Sequence, residues 1–249
     1  MIVIAGIVSA GCPPKIVRVE VSKEDLIKAD QAFKEGDAAF NRKDYYAALI
    51  KYLDATSLNP NDSYFFNRLG IAYSQLQYYE DAIKVFRRSM ALDPAYPYAV
   101  NNLGTAFFAR RQFRKAEKSF KKAISMKENE ASFYMNLGAL YFEKKRPDKA
   151  IIAWRKGLEL DADILTKKNA VSLALEGDKE SLREKNYFLA RLYAAAGNIP
   201  KAIECLEIAV DNGFSDIEAI QQQPDFDSIR KDARFVEFMK SAATIIKSR

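Results

Sequence analysis

"NRLGIAYSQLQYYEDAIKVFRRSMALDP", residues 67–94, sets Leu69, Gly70 and Tyr73 on one row and Ala82, Phe86 and Ser89 on a second. Both rows have the i, i+3/i+4, i+7 spacing of a helix face. The same rows return elsewhere at a fixed interval. Gly36, Gly70, Gly104 and Gly138 lie 34 residues apart, as do Ala48, Ala82, Ala116 and Ala150. Further phases hold Tyr52, Phe86, Phe120 and Trp154; Tyr45, Tyr79, Phe113 and Pro147; and Leu58, Leu92, Met126 and Leu160. Recurrence at this period marks a repeat architecture. In the third unit Leu103 and Phe107 lie on one helix and Ala116, Phe120 and Ala123 on the next, with "ARRQ" as the break. Each unit therefore reads as a helix–turn–helix. The glycine and alanine phases read as points where two helix axes approach closely, and the aromatic phase as filling the gap to the next unit.

Composition agrees and excludes several classes of chemistry. The 249 residues are 49% hydrophobic and 29% charged, with only ten glycines and eight prolines, which favours a folded helical chain over a loop-rich β design. There is no histidine, so the commonest general base and zinc ligand is missing. The two cysteines, Cys12 and Cys205, share no metal-ligand spacing. No P-loop, dinucleotide turn or nucleophile elbow is present. Acidic pairs such as Glu80–Asp81 fall at helix starts, where they cap or are solvated. The chain reads as neither enzyme nor cofactor carrier. A net charge of +6 suits solubility or weak attraction to polyanions.

The 34-residue pattern, with Leu69, Gly70, Tyr73, Ala82, Phe86 and Pro94 at signature positions, resembles the tetratricopeptide repeat (TPR). In that register repeats run 29–62, 63–96, 97–130 and 131–164 after a lead-in at 13–28, and Ser22-x-x-Asp25 starts the first helix. Glu35 departs from the usual leucine, and Glu128 and Ala162 from the usual terminal proline. An insertion at 165–182 reads as a helix extension plus a loop near Gly177-Asp178. A fifth unit, 183–216, carries Leu189, Ala190, Tyr193, Gly197, Ala202, Leu206 and Ala209. The tail to 249 resembles the end-of-group motif of bacterial TPR arrays, with a capping box at Ser215-x-x-Glu218, a stop at Pro224 and a helix start at Asp232. The resemblance implies an all-α fold: a right-handed superhelical α-solenoid of about five helix–turn–helix repeats with a C-terminal helical cap.

The resemblance also implies where function lies. Positions that line the inner wall in the family are Phe33, Asp37 and Phe40, then Tyr64, Asn67 and Ile71, then Tyr98, Asn101, Thr105 and Phe108, and lastly Met135 and Phe142. A wall of rings and amides suits a protein or peptide partner, with apolar side chains in pockets and Asn67 and Asn101 bonding its backbone. The family's carboxylate clamp is absent. Its positions hold Phe33, Asp37, Arg68, Tyr98 and Asn102 in one frame and Asn67, Ile71, Asn102, Ser132 and Asn136 in the next, without the paired cations.

Two stretches bear on partners and location. In "FFARRQFRKAEKSFKKA", residues 107–123, Phe107, Phe113 and Phe120 fall at packing phases and Phe108 on the inner wall. Arg114, Lys115, Lys118, Lys121 and Lys122 face outward, away from any ring on which a base could stack. Repeats three and four hold 14 Lys/Arg against 8 Asp/Glu, an outer face that suits an anionic surface and argues against the reading of nucleic acid. A self-assembling subunit is the remaining alternative. "MIVIAGIVSAGC", residues 1–12, resembles the end of a bacterial lipoprotein signal with Cys12 as lipid acceptor, although no basic residue precedes the apolar run. That resemblance implies export to the bacterial cell envelope and a membrane anchor; the alternative is an apolar tail on a cytoplasmic protein.

Overall fold

The computed structural model describes residues 18–164 and 179–247. The segment with Cys12 and residues 165–178 of the insertion lie outside them. The described residues form twelve α-helices: α1 (Lys23–Asn41), α2 (Tyr45–Leu58), α3 (Ser63–Gln75), α4 (Tyr79–Leu92), α5 (Pro97–Ala109), α6 (Phe113–Met126), α7 (Ala131–Glu143), α8 (Pro147–Leu160), α9 (Lys179–Ala195), α10 (Ile199–Asp211), α11 (Ile217–Gln222) and α12 (Ala233–Lys247). A 3-10 turn, Pro224–Phe226, precedes α12. The chain divides into two compact units within α5, after Asn102.

In the unit ending at Asn102, α1 to α3 bury Ala29, Phe33, Ala48, Tyr52, Phe65 and Leu69 in one cluster. Helix starts are written in short polar side chains. Ser22 accepts from Asp25 N at 3.0 Å, Asp44 from Ala47 N at 3.1 Å, and Asp62 from Tyr64 N at 2.8 Å.

The first helix of each helix–turn–helix unit, α1, α3, α5, α7 and α9, ends by one device. Lys43, Gln77, Arg111 and Lys145 adopt φ of 63°, 63°, 55° and 56°, and Gly197 adopts 75°. Around each, the next amide reaches back to close the helix: Asp44 N to Ala39 O, Tyr78 N to Tyr73 O, Gln112 N to Phe107 O, Arg146 N to Tyr141 O and Asn198 N to Tyr193 O. This is a Schellman cap, which needs a left-handed residue just past the helix. Among these five ends only Gly197 shows that need as a glycine; Gly213, at φ 96°, closes α10 in the same way, with Phe214 N reaching Ala209 O.

The glycine and aromatic phases turn out to be one contact. A Cβ placed on Gly36 would lie 2.7 Å from the Tyr52 ring, on Gly104 2.7 Å from Phe120, and on Gly70 2.5 Å from Phe86; Gly138 meets Trp154 in the same way. The ring of the second helix thus occupies the space a side chain would take on the first helix of its own unit. This corrects the expectation that these rings fill the gap to the next unit. Each ring removed from water contributes about 2–3 kcal/mol, which requires the bare backbone opposite it. At the matching phase α9 and α10 carry Ala190 and Leu206, both fully buried in one cluster. A smaller partner leaves room for a methyl group.

The other unit, residues 103–247, is closed at its C-terminal end by α11, the 3-10 turn and α12, which bury Ile220, Phe226, Phe235 and Phe238 against α9 and α10. Arg191 on α9 holds Asp225 at 2.8 Å and Asp148, at the start of α8, at 2.9 Å. Arg230 donates to Gln221 O and to Gln223 O. The capping box expected at Ser215 and Glu218 is displaced by one residue. Asp216 is the cap and accepts from Ala219 N, the third amide of α11, at 2.8 Å. Asp232 starts α12 by accepting from Arg234 N at 3.0 Å.

Candidate functional site: two aromatic surfaces

In the unit ending at Asn102, rings from α1, α3 and the start of α5 form a continuous row. Phe33 stacks on Phe65 at 4.5 Å and lies 5.4 Å from Tyr64, which is 6.4 Å from Tyr96, which is 5.7 Å from Tyr98. Tyr64 is 47% exposed and Phe33 is buried, so Tyr64 presents the row to solvent while Phe33 supports it. Ile71 and Tyr98 are half-buried. Tyr96, in the turn before α5, has no place in the 34-residue rows. Burial pushes its phenol up to about 12.

A chain of amides holds the row in register. Asn101 Nδ2 donates to Asn102 Oδ1 at 3.3 Å, Asn102 Nδ2 to Asn67 Oδ1 at 2.9 Å, and Asn67 Nδ2 to the Tyr96 hydroxyl at 3.3 Å. Asn67 and Asn101 are buried. Both ends of the Asn67 amide are bonded within the protein, so it does not offer them to a peptide backbone. Burial forces the reason: a buried amide must find its partners inside the chain.

Asp37 and Phe40 are also occupied. Asp37 Oδ1 accepts from the Tyr52 hydroxyl at 2.5 Å and from Arg68 Nε at 3.0 Å, and the Arg68 guanidinium lies 4.7 Å from the Phe40 ring centre. Burial, and then the bond to Asp37, push the Tyr52 phenol well above its ordinary value, so it stays a donor. This neutral knot uses the one cation that the absent carboxylate clamp could have drawn upon.

In the other unit, Met135 is fully buried, with its carbonyl accepting from Trp154 Nε1 at 3.0 Å and its sulfur against Gly157. It is core, because Gly157 leaves a space that only the flexible thioether fills. Thr105 and Phe108 are half-buried, and the Phe108 ring lies 5.9 Å from Phe113.

Phe142 does border open space. It lines a cavity of about 330 Å³ with Tyr187, Phe188, Phe214 and Pro147, and with Lys145 and Glu184 bringing opposite charges. Phe188 meets Phe142 edge-on at 5.2 Å and Tyr187 stacks on Phe214 at 4.4 Å. That volume is at the lower end of the range for ligand pockets, about 300–1,000 Å³, and suits one large side chain. Tyr187, Phe188 and Phe214 were not singled out by the repeat register. The run "NYF" before the fifth repeat's apolar row was the available signal.

The basic strip is outward as expected: Arg114, Lys115, Lys118, Lys121 and Lys122 are exposed, Phe107 and Phe120 buried, and Phe113 half-buried. Cys205 is buried, and burial pushes its thiol up to about 12, far from a nucleophile's range. Among the described residues no group of three or more Cys, Asp or Glu side chains could hold a metal ion, and no helix is long and apolar enough to cross a membrane.

Fold and surfaces define a class: an all-helical protein of consecutive helix–turn–helix repeats whose unclaimed chemistry lies on aromatic surfaces. Residues 63–96 and 101–163 match family models described as tetratricopeptide repeat. The small glutamine-rich tetratricopeptide repeat-containing protein 2 of Mycosarcoma maydis is 44% identical over 62 residues, 25% of this chain and 18% of that protein. Its beta counterpart in Homo sapiens is 39% identical over 61 residues, 24% of this chain and 20% of that protein. The chain thus spans about a fifth of the length of these curated relatives. A thermophilic TPR protein of Thermus thermophilus shares the fold with a TM-score of 0.54 at 19% identity, over 87% of this chain and 99% of that one.

Proposed function

We propose that this protein is a non-catalytic scaffold that holds a segment of a partner protein by its apolar side chains. The observation that carries the proposal is the cavity of about 330 Å³ walled by Phe142, Tyr187, Phe188 and Phe214, with Lys145 and Glu184 able to orient the polar part of a ligand. Preformed rings lose little conformational entropy on binding, so one anchor residue in such a pocket can dominate affinity. The exposed Tyr64 and its neighbours supply a second surface of the same chemistry.

The test starts from peptides selected on the full-length chain by display. Phe142→Ala and Lys145→Glu are expected to weaken those peptides by about tenfold while circular dichroism and melting stay near wild type. Loss of affinity on replacing the peptide's largest apolar residue would support the anchor. Peptides that bind both variants as tightly as wild type would remove the cavity from the reading, and Tyr64→Ala would then decide whether the tyrosine row carries it.

The proposal places the scaffold in the bacterial cell envelope, on the resemblance of residues 1–12 to a lipoprotein signal. Expression with an alkyne-tagged palmitate should label the wild type and leave Cys12→Ser unlabelled. Equal absence of label in both favours the cytoplasmic alternative.

A further inference from the structure

The outer side of the α7–α8 hairpin carries a feature that the scaffold reading does not use. Tyr134, Leu137 and Tyr141 of α7 and Ile152 and Ala153 of α8 floor a groove of about 510 Å³, rimmed by Lys149, Arg155 and Lys156. Ile152 is 60% exposed although it adjoins an apolar floor. Its counterparts one and two periods earlier, Lys118 and Lys84, are charged. A large aliphatic side chain held in water beside a groove is an incomplete packing arrangement.

The electrostatics name what would complete it. Glu159, the acidic residue of the groove, is already shared by Lys156 at 3.1 Å and Arg155 at 3.9 Å. Tyr141 joins the floor to α6 through Glu117, which accepts from the Tyr141 hydroxyl at 3.2 Å, Lys144 at 2.8 Å and Lys121 at 2.9 Å. The two lysines hold Glu117 ionised; chiefly the Lys144 hydrogen bond lowers its carboxyl to about 2. Both local carboxylates are therefore spent. Lys149 has only the face of Tyr141, 5.9 Å from its ring centre, and on α6 Arg114, Lys118 and Lys122 have no acidic partner among the described residues. The trough is apolar, and its lining carries three cations, Lys149, Arg155 and Lys156, against the single carboxylate of Glu159.

We propose that this trough docks a short amphipathic acidic helix of a partner protein, with aliphatic residues in the trough and Asp/Glu against Lys149, Arg155 and Lys156. A helical turn or two spans about 5–11 Å, which matches the run of Lys149, Ile152, Ala153 and Lys156 along α8. A lipid headgroup plane would meet the charge and leave the trough empty. A nucleic-acid base would need the Tyr141 face that Lys149 covers.

The experiment uses the full chain and a fluorescein-labelled helical peptide of about 15 residues, with leucines at i, i+3 and i+7 and glutamates on the flanks. Fluorescence anisotropy should show binding that weakens with salt. Ile152→Asp, a change at an exposed position, should lower affinity by about tenfold or more. Lys149→Glu combined with Lys156→Glu should do the same and flatten the salt dependence, and serine in place of the peptide's leucines should abolish binding. Tyr64→Ala and Lys145→Glu should have no effect, which separates this trough from the surfaces of the scaffold reading. The proposal is overturned if the peptide fails to bind or if Ile152→Asp binds it as tightly as wild type. It is equally overturned if phosphatidylglycerol vesicles or single-stranded RNA bind wild type and Ile152→Asp alike and displace the peptide, because charge alone then accounts for the face.

Discussion

Replacing Gly104 by alanine sets two effects of opposite sign against each other. In a helix interior alanine is favoured over glycine by about 0.8–1.0 kcal/mol. Here the new methyl carbon would lie 2.7 Å from two ring atoms of Phe120 and 3.1 Å from Ser119 Cβ. Phe120 is 1% exposed, so its ring has no free side toward which to turn. Overpacking of this kind costs about 1–3 kcal/mol, and contact on both Phe120 and its neighbour in α6 places the cost in the upper part of that range. The net expectation is a loss of about 1–2 kcal/mol, or about 2–8 °C in melting temperature. Phe120→Leu alone should also lose about 1–2 kcal/mol, from reduced burial and a residual void. The double variant recreates the Ala190/Leu206 pairing, in which methyl and smaller partner fit together. It should therefore be more stable than the sum of the two losses by about 1–2 kcal/mol. Urea unfolding followed by circular dichroism and by Trp154, the one tryptophan and a buried residue of the same unit, measures all four proteins. The comparison of the two signals matters because repeat arrays need not unfold in a single step. A neutral or stabilising Gly104→Ala, or a coupling near zero, would refute the argument that ring and glycine form one packing unit.

The left-handed turns give a second test: Gly197→Ala should lose about 1 kcal/mol by backbone strain alone, since nothing lies within 4 Å of a Cβ at φ 75°. Gln77→Gly, at φ 63°, should gain about 0.5–1 kcal/mol; thermal melts showing the same sign for both changes would contradict the Schellman reading. The Glu117 carboxyl, brought from its usual 4.5 to about 2, first by the Lys144 hydrogen bond, gives a pH test. A depressed folded value means that its contribution is fully present above 4.5 and is lost as pH falls toward 2. Glu117→Gln should be less stable than wild type at neutral pH and should converge with it on acidification through that window. Parallel melting curves of the two proteins across it would refute the assignment.

Much of the fold was legible because a repeat states its packing several times over. Gly36, Gly70, Gly104 and Gly138, with their rings one helix later, made the helix–turn–helix unit readable from spacing alone. What spacing could not reveal was the partner of each phase. Glycine and ring recur with the same period, so contact within a unit and contact with the next unit leave the same trace in sequence. The turn was obscured for another reason: Lys43, Gln77, Arg111 and Lys145 tolerate a left-handed backbone on the surface at modest cost, so the usual glycine marker is missing from the first four repeats and appears only later, at Gly197 and Gly213.

The candidate site was legible as a set of positions and less so as a set of roles. Tyr64 and Phe142 do border open space, whereas Asn67, Asp37 and Met135, at equally eligible positions, have their polar or flexible groups consumed by Tyr96, Arg68 and Gly157. Tyr187, Phe188 and Phe214 join the surface from outside the first four repeats, and Arg191 on the same helix as Tyr187 is spent on Asp148 and Asp225. The sequence by itself determined the helices, their pairing into repeats and the outward placement of the α6 cations, because those depend on local periodicity and on the burial of rings. Only the tertiary structure decided which ring covers which glycine, which amides and charges are spent internally, and which apolar surfaces stay open. Those outcomes depend on distances between side chains far apart in the chain, where the same residue type is satisfied in one place and left exposed in another.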